Sequence, residues 1–174
     1  MTEDARKARN VERLGLCYPP FAGRIAALIA RLEQEGFRPR IDQSWRTPAQ
    51  HQANLAAGTS KSSWSFHMAT TPDGKPDALA VDLLDDNYPV PVAHQDDWPP
   101  TFRHYVLWLA ALAGQWGLET GVEWGLSTDE RRALTTAMAN DPLSYHGAIG
   151  WDPLHCEPRD ITLAAAKAGK RPWI

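Results

Sequence analysis

Asp82 lies inside Ala78–Leu84, a run that is otherwise apolar. A carboxylate in such a run pays a desolvation cost unless an ion partner, hydrogen bonds or a metal compensates it. Two histidines offer nitrogen donors for that purpose: His67, just after Ser65 and Phe66, and His155, three residues beyond Asp152. Two imidazoles and one carboxylate form a catalytic zinc set, because three protein ligands leave the fourth tetrahedral position open. A water activated there needs a nearby carboxylate to take its proton, and Asp152 and Glu157 are both close enough along the chain to serve. Spacing also leaves a plainer account standing. There are six histidines and no His-Glu-x-x-His helix, and the three candidates could be buried polar groups that satisfy one another.

Several elements have to carry these residues. Phe21, Ile25, Leu28, Ile29 and Leu32 recur at helical spacing, with Gly36 placed to end the helix. Residues 37–44 read as an extended segment. Thr47, Pro48 and Gln50 then supply an N-cap, a first-turn proline and a capping box for a helix of about three turns ending near Gly58. Residues 59–77 are rich in Ser, Thr, Pro and Gly and predict a surface loop, with Pro72-Asp73-Gly74 as its turn. Ala78–Leu84 follows as a buried strand bounded by Asp85, Asp86 and Asn87. Phe102, Tyr105, Val106, Leu109, Ala113 and Trp116 mark a second packing helix, and Ser127 with Glu130 caps another that turns Leu134, Ala137 and Met138 inward. Residues 151–157 read as extended, and a last helix is expected over about 161–168. Helices and strands mix without regular βαβ alternation, so the fold class is α+β with a small sheet in a single domain over 1–174.

The order Ser44-Trp45-Arg46-Thr47-Pro48-Ala49-Gln50, Gly58-Thr59-Ser60, Ser65-x-His67, Ala80-x-Asp82, Glu123-Trp124-Gly125 and Asp152-Pro153-Leu154-His155-x-Glu157 resembles the zinc D-alanyl-D-alanine carboxypeptidase and L-alanyl-D-glutamate endopeptidase family of peptidoglycan peptidases, including phage endolysins. The motifs span about two-thirds of the chain, from Arg46 to Glu157. The resemblance implies that His67, Asp82 and His155 bind Zn2+ and that Asp152 is general base and acid. It further implies that Arg46 steadies the carbonyl oxygen or a substrate carboxylate. Ser65 would then support the ligands and Glu157 would orient a ligand or the base, with Trp124 near the substrate groove and Glu123 either lining it or merely ending a strand. The fold it implies is a small antiparallel sheet flanked by helices, shared with the signalling domain of Hedgehog proteins, so fold alone does not guarantee catalysis. Asp at position 152, rather than Glu, resembles the endopeptidase branch, which favours cleavage between L-alanine and D-glutamate. The alternatives are a D-alanyl-D-alanine carboxypeptidase and a non-catalytic wall-binding or structural module.

The chain departs from the family pattern in two places. His67 and Asp82 are 15 positions apart, so roughly eight residues around Thr71–Pro76 look inserted, and their turn chemistry lets them bulge outward. The helix opening at Ser127 lengthens a second connection. Both insertions are expected to border the cleft. A plain strand would also send Asp152 and His155 to opposite faces, so a bend near Pro153 is expected.

Other residues have sufficient structural explanations. Gln50 completes a capping box, and Arg46 could pair with Asp42. His51, His94, His104 and His146 read as exposed or helix-surface residues, with His146 the competitor for a ligand position. Trp124 and Trp151 read as packing residues near the cleft. Cys17 and Cys156 read as free thiols, with alternation turning Cys156 into the core. A formal charge of -3, with one small basic cluster at Lys167, Lys170 and Arg171, argues against nucleic acid as a partner. No apolar run approaches the ~20 residues of a membrane span, and the charged N-terminus lacks the apolar centre of a secretory signal. The expected partner is bacterial peptidoglycan, met by a monomer that reaches the wall from the host cytoplasm at lysis or as part of a virion.

Overall fold

In the computed structural model, which describes residues 1–88 and 98–172, four short strands make an open antiparallel sheet. They are β1 (Pro39–Gln43), β2 (Val81–Asp85), β3 (Leu118–Gly121) and β4 (Asp152–Pro158), in the order β1-β2-β4-β3. The fold is α+β, as the mixed pattern predicts, with six α-helices among the described residues. Val81 and Leu83 turn to the core face of β2 and are fully buried, whereas Asp82 between them faces the other way. On the ladder Asp82 stands directly opposite His155, and Glu119 opposite Glu157. Residues opposed in this way share a face, so strand pairing alone gathers four polar side chains on one side of the sheet.

The core face is covered by α2 (Pro19–Gln34) and α4 (Pro100–Ala113). Phe21, Ile25, Leu28 and Leu32 of α2 meet Phe102, Tyr105, Val106 and Leu109 of α4, all buried. Each such side chain contributes about 1.5–3 kcal/mol on burial, which holds both helices to the sheet. A 3-10 turn, Gly114–Trp116, ends α4 and leaves Trp116 half-buried. Both capping boxes form: Thr47 and Gln50 open α3 (Pro48–Ala56), and Ser127 and Glu130 open α5 (Thr128–Asn140). Leu134 of α5 is buried, with Ala137 and Met138 partly so. The last helix, α6 (Leu163–Lys167), is shorter than the pattern suggests; Thr162 caps its start and Gly169, at φ 85°, ends it.

Helix α1 (Glu3–Leu14) has no apolar stripe to announce it. Its inward face is polar: Arg6 is 1% exposed, bonded to Glu3, Glu33 and the Pro39 carbonyl. Asn10 accepts from the Ile41 N–H and donates to the Pro39 carbonyl, and Arg9 donates to the Ile41 and Asp42 carbonyls. Edge strand β1 therefore finds partners for its free backbone groups in side chains of a helix.

Two stretches differ from the sequence reading. Residues 59–77 are not a surface loop throughout, because a 3-10 turn at Phe66–Met68 buries Phe66 and His67, with Ala69 buried just after it. Strand β2 starts later than Ala78 and includes Asp85, while Ala78 forms a parallel bridge with Cys17. Among the described residues no helix is long and apolar enough to cross a membrane.

Candidate metal centre

Three donor atoms meet on the polar face of the sheet. Asp82 Oδ1 lies 3.4 Å from His67 Nε2 and 3.3 Å from His155 Nδ1, and the two nitrogens are 3.3 Å apart. Asp82 and His155 come from adjacent strands. His67 comes from the 3-10 turn, which is tied down by the Ser65 hydroxyl accepting from the His67 N–H and by the Arg46 N–H donating to the His67 carbonyl.

The outer nitrogens decide which way the lone pairs point. His67 Nδ1 faces the Ser44 carbonyl, which can only accept, and His155 Nε2 lies 2.8 Å from Glu157 Oε2. Each therefore carries its hydrogen on the outer nitrogen and turns a lone pair inward, as metal-ligating histidines do. Tetrahedral zinc with bonds of about 2.0–2.1 Å places its donors roughly 3.3 Å apart, the separation found here. Two imidazole nitrogens and one carboxylate oxygen suit zinc in type as well as in spacing. The buried cluster could thus hold a metal ion.

Charge within the cluster is tightly coupled. Burial alone would raise the Asp82 pKa, but the two imidazoles outweigh it and hold the carboxyl well below the usual carboxylate range. Burial would lower the pKa of His155, but Asp82 and Glu157 together push it up to about 10. Without a cation, a proton on His155 partly answers the convergent acceptors; a divalent ion answers all three.

Around the triangle is an open cavity of about 670 Å³. Asp152, Arg46, Ser65, Glu157 and Trp124 all line it, so the structure brings these candidates to one place. Asp152 reaches it through the expected bend. Thr120 pairs with Cys156 and its neighbour Gly121 with Asp152, so one step along β3 spans four along β4. A Cβ on Gly121 would lie 2.2 Å from the Asp152 carbonyl oxygen, and one on Gly150 would lie 2.2 Å from the Gly121 carbonyl oxygen. The irregularity is packed backbone against backbone, where only glycine fits. Burial first, then the nearby Asp82 charge, raises the pKa of Asp152, while His155, His67 and Arg46 oppose. Arg46 itself is buried, which lowers its pKa against the opposing pull of Asp82 and Asp152. It is held by Gln43 rather than by Asp42, which pairs with Arg9 and Arg40. Trp124 packs against the His155 ring at 5.2 Å.

Several expectations are corrected. Glu123 does not line the cavity; it lies on the turn after β3, and Glu119 on β3 takes that place. Burial and the adjacent Glu157 raise the Glu119 pKa. Neither insertion borders the cavity, since residues 72–75 form an exposed turn and no residue of α5 lines it. His51 is fully buried, not exposed, and bonds to the Ser62 carbonyl at 2.9 Å. Trp151 is 54% exposed on the cavity wall, so it is no packing residue. His146 is exposed and apart from the cluster, and His104 accepts from the Trp108 indole at 2.8 Å. His94 lies outside the described residues. Cys17 and Cys156 are buried free thiols, as expected. Sequence reasoning also missed Lys61, Arg159 and Thr162 on the cavity wall; only their place in polar loops distinguished them.

Fold and site together define an α+β domain with a buried cluster suited to a metal. No protein-family model matches the chain, and no curated protein matches it either.

Proposed function

We propose that this protein is a zinc-dependent peptidase of bacterial peptidoglycan, cutting the bond between L-alanine and D-glutamate in the stem peptide. The observation that carries the reading is the convergence of three donor atoms at zinc-like spacing beside a half-buried carboxyl and a buried guanidinium lining the same cavity. The sequence resemblance supplies the substrate class. His67, Asp82 and His155 would hold the zinc ion, which would supply Lewis acidity. Asp152 takes the proton of the attacking water and returns it to the departing amine, a role suited to a carboxyl whose pKa is raised. Arg46 offers N–H groups to the developing negative oxygen, its own position fixed by Gln43. Glu157 holds the His155 ring in orientation.

Digestion of purified peptidoglycan with and without chelator, followed by mass spectrometry of the fragments, tests metal dependence and bond identity together. New L-alanine C-termini paired with D-glutamate N-termini are expected, and chelator should abolish them. Release of free D-alanine would instead identify a carboxypeptidase, and intact peptidoglycan in both arms would reject hydrolysis.

A further inference from the structure

The cavity is not uniform in charge. Its β3–β4 wall carries Glu119 and Glu157, whereas the segment 59–62 on the rim supplies the hydroxyls of Ser60 and Ser62 and the ammonium of Lys61, the Thr59 hydroxyl donating to the Asn54 carbonyl. Of the cavity-lining cations, Arg159 faces Glu119 at 4.0 Å and Arg46 is held by Gln43 close to Asp82 and Asp152. Lys61 has no carboxylate within ion-pair distance among the described residues; its ammonium stands 5.1 Å from the centre of the exposed Trp151 ring. Trp151 in turn touches Trp124, and Trp124 touches the ring of His155. An aromatic wall therefore leads from the metal ligands out to one uncommitted positive charge.

The rim is anchored to that machinery. Fully buried His51 donates from Nε2 to the Ser62 carbonyl, which leaves Nδ1 as an acceptor 3.5 Å from Arg46 Nη1. The Thr59 and Ser60 N–H groups both bond to the Asn54 carbonyl at the end of α3. The segment bearing Lys61 is thus set from beneath, by the same imidazole that touches Arg46.

We infer that Lys61 binds a free carboxylate of the peptide substrate, so that the cleft selects acidic peptides and orients them with the anionic group toward Trp151 and away from Glu119 and Glu157. The inference rests on the peptidase reading above and deepens it. Like charge repels a carboxylate from the β3–β4 wall, and the rim offers an ammonium plus hydroxyl donors to receive it. A stem peptide offers this group from two sources, the α-carboxylate of the glutamyl residue and the C-terminal carboxylate.

The test uses the zinc-loaded full chain and three synthetic stem peptides: both carboxylates free, the glutamyl one amidated, and the terminal one amidated. In the wild type, amidating the recognised carboxylate should lower kcat/KM on the order of tenfold, chiefly through KM. In Lys61→Met, which keeps an apolar stem against Trp151, that penalty should vanish; Lys61→Arg should retain it. Whichever amidation carries the penalty identifies the source. The inference is overturned if Lys61→Met shows the wild-type penalty, or if neither amidation costs the wild type anything. If the wild type cleaves none of the three peptides and chelator makes no difference, the peptidase reading itself has failed.

Discussion

Two buried polar clusters in this protein solve the same problem in opposite ways. Around Arg6, each buried donor has an acceptor: Glu3 and Glu33 take the charge, and the Pro39 carbonyl takes a remaining N–H. Around Asp82, acceptors face acceptors, and the hydrogens of both imidazoles are spent outward on Ser44 and Glu157. The first cluster is closed and needs nothing further. The second is completed only by something positive, either a proton or a cation. Burial of charge alone thus does not mark a functional site; an unbalanced set of donors and acceptors does.

The contrast is broken most forcefully at the open cluster. His67→Ala or Asp82→Ala should lower bound zinc from about one per chain toward none and remove cleavage with it, as read by metal analysis beside a peptide assay. Asp152→Ala should separate the two readouts, lowering kcat by about 10²–10⁴-fold while zinc stays near one per chain; full activity in this variant would remove Asp152 as base. At the closed cluster, Arg6→Ala removes a buried guanidinium that ties Glu3, Glu33 and the Pro39 carbonyl together, so a lower denaturant midpoint is expected, with no dependence on added zinc. A milder probe is pH. The Arg6 guanidinium holds the Glu3 carboxyl at about 2, below its ordinary 4.5, so this pair's contribution is present above pH 4.5 and is lost as pH falls toward 2. The fall in Tm over that window should be shallower in Glu3→Gln. The smallest effect belongs to the thiols: burial pushes Cys17 up to about 12, so native Cys17 and Cys156 should resist thiol reagents that label the unfolded chain readily.

What the sequence displays and what it hides follows the range of the interactions. Capping boxes at Thr47 and Ser127 are local, and both form as the spacing predicts. The apolar stripes of α2 and α4 encode their own burial. Helix α1 escapes such a reading because its inward side chains are Arg6, Arg9 and Asn10, which look like solvated residues until β1 is placed beside them. His51 is hidden for the same reason: only the return of the chain at Ser62 buries it. The metal candidates were legible through motif order, yet their convergence depends on Asp82 meeting His155 across the ladder, a register that spacing does not fix. The rim formed by Lys61 and Trp151 joins segments 90 positions apart and left no local signal.

The third donor differs from the other two in how it is mounted. Asp82 and His155 belong to the hydrogen-bonded sheet, but His67 rides on a single 3-10 turn within the long connection between α3 and β2. An ion held among them would therefore act as a clasp, fastening that connection to the sheet. Stripping such an ion should free residues 59–77 before it loosens anything else, leaving a domain whose first point of protease attack lies beside the His67, Asp82 and His155 cluster.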